Sequence, residues 1–211
     1  MKLYDAPWAP SPRRVRIFLA EKGIVIDREH VDLRDGEQLR DAFLKINPRG
    51  AVPALELDDG EVLCESAAIC RYIEALYPEP ALFGADPLAI GRIESWTRRI
   101  EGDGYTAAVY AFRNRSPAFV DRGIPGNWPA VAQIPELAAR GMVMWDGFVK
   151  ALDERLADRT WIAGGGYSFA DITALVTIDF AKSAAKLAVP ERAKHILRWH
   201  AAATARPSAG A

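Results

Sequence analysis

Three short stretches carry groups whose types and spacing can do chemistry. The first is Glu65-Ser66, just ahead of a run with helical period. A serine hydroxyl and N–H at the positive end of a helix suit a carboxylate, and a neighbouring glutamate can hold an ammonium. An α-amino acid presents both charges together, although a serine that only caps the helix fits the same residues. The second is Val52-Pro53, ahead of a strand-like run. A proline is tolerated at a strand start because its missing donor is not needed there. If its peptide is cis, Val52 keeps an N–H and a C=O to pair with an extended peptide as an added strand. An ordinary loop proline is the alternative. The third is Ala9-Pro10-Ser11-Pro12-Arg13-Arg14. A free thiol has a pKa of about 8.5, and a helix N-terminus, a hydroxyl donor and nearby arginines all lower it. The competing reading gives Ser11 a capping role and leaves Arg13, Arg14 and Arg16 on a solvated face.

The elements that must position these groups follow from the pattern. Leu3-Tyr4 reads as a short strand, and Ala6 to Pro12 as a loop because of its three prolines. Ser11-Pro12 is the expected helix start, with Val15, Phe18 and Leu19 on one face and Gly23 as the stop. Val25 to Leu33 reads as a strand. Leu39, Ala42, Phe43 and Ile46 share one helical face, and Asn47-Pro48-Arg49-Gly50 is a turn. Ala54–Leu57 and Val62–Leu63 flank Asp58-Asp59-Gly60 as a hairpin, and Ser66 opens a third helix that Pro78 and Pro80 stop. Beyond the prolines the strand-like alternation ends. Ile90, Ile93, Thr97 and Ile100 keep a helical period, as do Trp145, Phe148, Leu152 and Leu156. Ser168-Phe169-Ala170-Asp171 has the spacing of a capping box. Pro117 to Pro135 reads as a long loop.

The predicted order is therefore βαβαββα followed by helices alone: a small α+β domain over residues 1–78, a linker over 79–87, and an all-α domain over 88–211. Composition narrows the function. With 27 basic and 28 acidic side chains in 211 residues the net charge is −1, which does not point to nucleic acid or an acidic membrane surface. Apolar runs are broken short of a membrane span, and the N-terminus reads straight into a strand without a signal-like stretch. Cys64 and Cys70 are too few for a disulfide framework and lie across a strand-to-helix junction, so a reducing compartment is expected. His30, His195 and His200 lack the spacing of metal ligands, and no metal is expected.

In order and content, MKLYDAPWAPSPRRVRIFLAEKGI, NPRGAVPALELDDG, ESAAICRYIEALYP and SFADIT resemble the cytosolic glutathione S-transferases, over nearly the whole chain. The resemblance implies a thioredoxin-like N-terminal domain, an all-helical C-terminal domain, a cytoplasmic homodimer with a role in detoxification, and glutathione as thiol co-substrate. It implies that Val52, before a cis Pro53, binds the cysteinyl backbone. Glu65 and Ser66 would hold the γ-glutamyl end, and Gln38 and Arg49 the glycine carboxylate. Tyr105, Tyr110 and Arg113 fall where relatives form the electrophile pocket, although core packing suits the tyrosines equally. Ser168 and Asp171 match a folding motif. The chain departs from the pattern at Ala9, where related classes place a catalytic Ser or Cys. It therefore resembles the subgroup that stabilises the thiolate without a conventional Tyr, Ser or Cys. Ser11, helix-start N–H groups or a water held by the second domain are the substitutes, with Tyr4 as a support. The expected reaction is attack of the glutathione thiolate on an electrophilic, largely apolar small molecule. The alternative is a non-catalytic glutathione- or ligand-binding protein of the same fold.

Overall fold

The computed structural model describes residues 1–211. Its chain divides into two compact units, residues 1–80 with 124–130 and 211, and residues 81–123 with 131–210.

In the first unit β1 (Lys2–Asp5), β2 (Asp27–His30), β3 (Ala54–Glu56) and β4 (Val62–Cys64) form one sheet in the order β2-β1-β3-β4. β1 and β2 are parallel, and β3 runs antiparallel to both β1 and β4. Register pairs Leu3 with Leu55 and Tyr4 with Ala54, so the two-residue period sends each pair to a different face. Tyr4 and Ala54 pack with Val31 and with Phe43 of α2 (Asp41–Leu44). Leu3 and Leu55 are left for α1 (Pro10–Glu21) and α3 (Ser66–Leu76), whose Ile17, Phe18, Ile69 and Ile73 are fully buried. This is the thioredoxin-like arrangement.

Three local expectations need correction. The second strand is shorter than Val25 to Leu33, because the Asp32 carboxylate accepts the N–H groups of Arg34 and Asp35 and turns the chain. The helix expected across Leu39 to Ile46 splits into a 3₁₀ turn, Glu37–Leu39, and α2, because Arg40 is extended (φ −83°, ψ 150°). Ser11 is not the cap of α1: Ala9 is, and it offers no side-chain bond.

The second unit is all-helical: α4 (Pro87–Arg99), α5 (Thr106–Arg113), α6 (Pro135–Arg155), α7 (Phe169–Phe180) and α8 (Lys194–Thr204). A widened π turn, Ile100–Tyr105, joins α4 to α5 without breaking the rod. There Gly104 lies against the Phe148 ring, where a Cβ would approach to 2.8 Å. Every residue from Phe169 to Ile178 is buried, so α7 is the central helix. Its start carries the expected capping box. Ser168 N–H and Oγ–H donate to Asp171 Oδ2, while Oδ1 accepts from the Ile162 N–H and Trp199 Nε1–H. No helix of the chain is long and apolar enough to cross a membrane.

Candidate functional site

The turn before β3 is built by Asn47, which is 3% exposed. Its Nδ2 donates to Ala51 O at 2.7 Å, its Oδ1 accepts from the Arg49 N–H, and its carbonyl accepts from the Gly50 N–H. Gly50 has φ +58°, a conformation that side chains resist, and a Cβ there would meet Leu39 Cδ2 at 2.8 Å. The turn delivers the chain to Val52, whose peptide bond to Pro53 is cis. The Val52 side chain packs inward against the Tyr4–Phe43 cluster. Its N–H and C=O make no hydrogen bond within the chain. Paired main-chain groups are the rule in folded proteins, so this pair is open to a ligand backbone.

Across the hairpin, α3 begins at Ser66, with Glu65 in the cap position. The expectation that Ser66 itself caps the helix is therefore corrected by one residue. Glu65 has φ +69° and ψ 116°, rare for a side-chain-bearing residue and of order 1–3 kcal/mol in cost. Such conformations persist where surroundings impose them, and they cluster at functional sites. The Glu65 carboxylate projects into solvent and meets the Arg49 guanidinium at 3.0 Å. Ser66 is buried, and its Oγ accepts from Arg14 Nη2 at 2.8 Å and Nε at 3.2 Å. With those two acceptor positions occupied, the Ser66 hydroxyl proton is the one left to give. One guanidinium, one hydroxyl donor and the N–H groups of a helix start thus converge, an arrangement made for a carboxylate. The sequence alone suggests Arg14 for the thiol or for a solvated face. Its pairing with Ser66, 52 residues on, has no local signal.

At the start of α1, Pro10 and Pro12 contribute no N–H. Ser11 therefore supplies the single N–H and the single hydroxyl of the first three helical positions. Ala9 is extended and 6% exposed, with no group that could acidify a thiol. Tyr4 turns its hydroxyl away to Glu56 Oε2, 2.7 Å distant on β3. Burial raises its pKa, so it is a neutral support. Gln38 is buried in the 3₁₀ turn with its Oε1 unpartnered, and its carbonyl oxygen lies 3.1 Å from where a Gly50 Cβ would stand. Cys64 is half-buried and Cys70 fully buried, both are free, and burial raises both thiols. Neither is poised as a nucleophile.

In the second unit Tyr105 stacks on Phe180 at 5.7 Å. Arg113 donates to Arg122 O at 3.0 Å and lies over the Phe119 ring. Its partial burial pulls its pKa down to about 10, with Arg122 adding like-charge repulsion. Tyr110 is half-buried on α5, and its carbonyl accepts from Asn114.

Comparison with known proteins places this geometry. Residues 8–76 match the family described as "Glutathione S-transferase, N-terminal domain", and residues 135–202 match "Glutathione S-transferase, C-terminal domain". The chain is 34% identical over 213 residues to "Glutathione S-transferase 2" of Saccharomyces cerevisiae, covering 99% of this chain and 87% of that protein. Among solved structures it is similar to Gtt2 of Saccharomyces cerevisiae, with 33% identity, a TM-score of 0.89, and coverage of 99% of this chain and 98% of that one. It is also similar to a class Gtt2 glutathione S-transferase of Vibrio parahaemolyticus, with 36% identity, a TM-score of 0.82, and coverage of 99% and 95%.

Proposed function

This chain belongs to the glutathione S-transferase family and is a glutathione transferase, and from that premise we propose that it joins the glutathione thiolate to an electrophilic, largely apolar small molecule. The observation that carries the reading is the unpaired Val52 main chain beside Pro53, at the end of the sheet where Ala54 pairs with Cys64 and the chain enters Ser66, the partner of Arg14. Glutathione lies along Val52 as an added strand. Its γ-glutamyl carboxylate takes the Ser66 hydroxyl and the α3 N-terminus, with Arg14 behind, and its ammonium takes Glu65. Gln38 serves the glycine carboxylate, and Arg49, paired with Glu65 in the free protein, leaves Glu65 to the ammonium and joins Gln38 there.

The sulfur then reaches the start of α1. With alanine at position 9, acidification falls to the Ser11 N–H and hydroxyl and to the helix end, in a member of the family without the usual Tyr, Ser or Cys. The thiolate attacks the electrophilic carbon, a carbon–sulfur bond forms, and the thiol proton passes to solvent. Tyr105, Tyr110 and Arg113 offer an apolar wall and a cation for the second substrate. Two copies of the chain assemble as a homodimer in the cytoplasm, with detoxification as the role.

Two variants separate binding from acidification. Ser66→Ala removes a donor to a charged ligand group, worth about 1.5 kcal/mol, so affinity for glutathione falls about tenfold with the bound-thiol pKa unchanged. Ser11→Ala raises that pKa, read from thiolate absorbance, and leaves affinity near the parent value. Equal glutathione affinity in Ser66→Ala and the parent, by calorimetry, would remove the proposed site.

A further inference from the structure

The first unit contains seven residues from far along the chain, 124–130. They form a loop, Ile124-Pro-Gly-Asn-Trp-Pro-Ala130, whose ends are already joined: the Gly123 N–H donates to Val131 O at 2.9 Å and the Val131 N–H to Asp121 O at 3.0 Å. The loop is stiff. Pro125 and Pro129 restrict its backbone, and Trp128 Nε1 donates to Pro125 O at 3.0 Å.

Its tip lies on the Asn47–Gly50 turn. The Asn127 N–H donates to Arg49 O at 2.7 Å, and Asn127 Nδ2 donates to Pro48 O at 3.2 Å. The approach is close, and Gly126 is needed for it. A Cβ on Gly126 (φ +103°) would stand 2.8 Å from Arg49 O, and one on Gly50 would stand 3.1 Å from Asn127 Cβ. Asn47 holds this turn from inside through Ala51, Arg49 and Gly50, and Asn127 holds the two outward carbonyls that Asn47 does not reach. The turn is thus fixed from both sides just before the unpaired main chain of Val52, with the Arg49 side chain directed at Glu65.

We infer that residues 124–130 are a positioning strap for the peptide-binding turn, with Asn127 and Gly126 as its positioning residues, and that the strap sets glutathione affinity by ordering Arg49 to Val52 before the ligand arrives. This rests on the assignment of Val52 and Ser66 to glutathione. A turn ordered in advance loses less freedom on binding, so loosening it weakens the ligand without changing the chemistry that follows.

The test compares three full-length variants. In the first, residues 124–130 are replaced by seven alternating glycines and serines, a flexible loop of equal length that can still close the parallel bridge between Arg122 and Val131. Gly126→Ala pushes the strap off Arg49 with one methyl, and Asn127→Ala removes only the bond to Pro48 O. The strap predicts a rise in KM for glutathione of about fivefold in the replacement and Gly126→Ala, and less in Asn127→Ala. It also predicts kcat at saturating glutathione within twofold of the parent and an unchanged KM for the electrophile. The Gly50 amide, which donates to Asn47 O, should exchange faster with deuterium in all three. Unchanged glutathione KM in both stronger variants, with Ser66→Ala still impaired, overturns the strap and leaves the site standing. Unchanged KM in Ser66→Ala as well overturns both. A loss confined to kcat overturns the strap in favour of a role in the chemical step.

Discussion

Asp171 is the sharpest place to test how the helical unit is held together. Its carboxylate is fully buried and accepts four hydrogen bonds, from Ile162 N–H, Trp199 Nε1–H, Ser168 N–H and Ser168 Oγ–H. Burial raises its pKa from 3.8 to about 6 even against those donors. In Asp171→Ala three of the four donors cannot turn away. At roughly 2 kcal/mol for each buried, unsatisfied N–H the loss is about 6 kcal/mol. Removing a charge whose pKa burial raised by about two units returns roughly 3 kcal/mol at pH 7, leaving a net loss of about 3 kcal/mol. Asp171→Asn is milder. Its carbonyl can keep Ile162 and Trp199, and its amide can donate to Ser168 Oγ once that hydroxyl rotates. One N–H, that of Ser168, is then unsatisfied, and the relieved charge offsets much of the loss, so a net of about 1 kcal/mol or less is expected. The pH dependence has a definite sign. Because the folded pKa lies above the unfolded one, the folded state binds more protons between pH 4 and pH 6. Stability from this group is full below pH 4 and is lost as pH rises through 6. From pH 7 to pH 5 the parent gains about 1.3 kcal/mol from Asp171, and neither variant does. Urea unfolding at the two pH values reads both quantities. A pH response in Asp171→Asn equal to the parent's, or an alanine variant no less stable than the asparagine one, would refute the reasoning.

Two further stability predictions draw on other parts of the chain. Arg16 reaches Asp5 at 2.5 Å and Pro7 O at 2.6 Å, with both charged groups buried. Arg16→Met should therefore cost about 3 kcal/mol in urea unfolding by leaving the buried Asp5 only the more distant, exposed Arg28 at 4.0 Å, while Asp5→Leu/Arg16→Met recovers most of it; a double variant no better than the single one would contradict this. On α6, Gly141→Ala would place a Cβ 2.6 Å from Ala107 O and should cost about 2 kcal/mol despite the better helix former. Gly147→Ala on the same helix has nothing within 4 Å and should gain about 1 kcal/mol, and thermal melting of the pair gives opposite signs if the clash is real.

What was legible in the sequence was what is local. The Ser168–Asp171 capping box, the Asp58-Asp59-Gly60 hairpin turn and Val52-Pro53 each announce themselves within a few residues, because capping and turn chemistry act over that distance. Ser11 misled for a local reason too. A serine before a proline looks like a cap, but Pro10 suits the first helical position equally well and moves the cap to Ala9. The π turn at Ile100–Tyr105 escaped notice because a widened turn leaves a helical period nearly intact. Arg14 on Ser66 and Asn127 on Arg49 were out of reach for another reason. Hydrogen bonds spanning 52 and 78 positions leave no spacing pattern in one sequence.

The docking of residues 124–130 on the Asn47–Gly50 turn bears on how the molecule is made. Residues 1–80 emerge from the ribosome without Asn127, so Pro48 and Arg49 must keep their carbonyls in water until some fifty more residues have been synthesised. A fragment cut at the proline-rich junction would carry every residue assigned to the tripeptide, yet it would hold that turn by Asn47 alone.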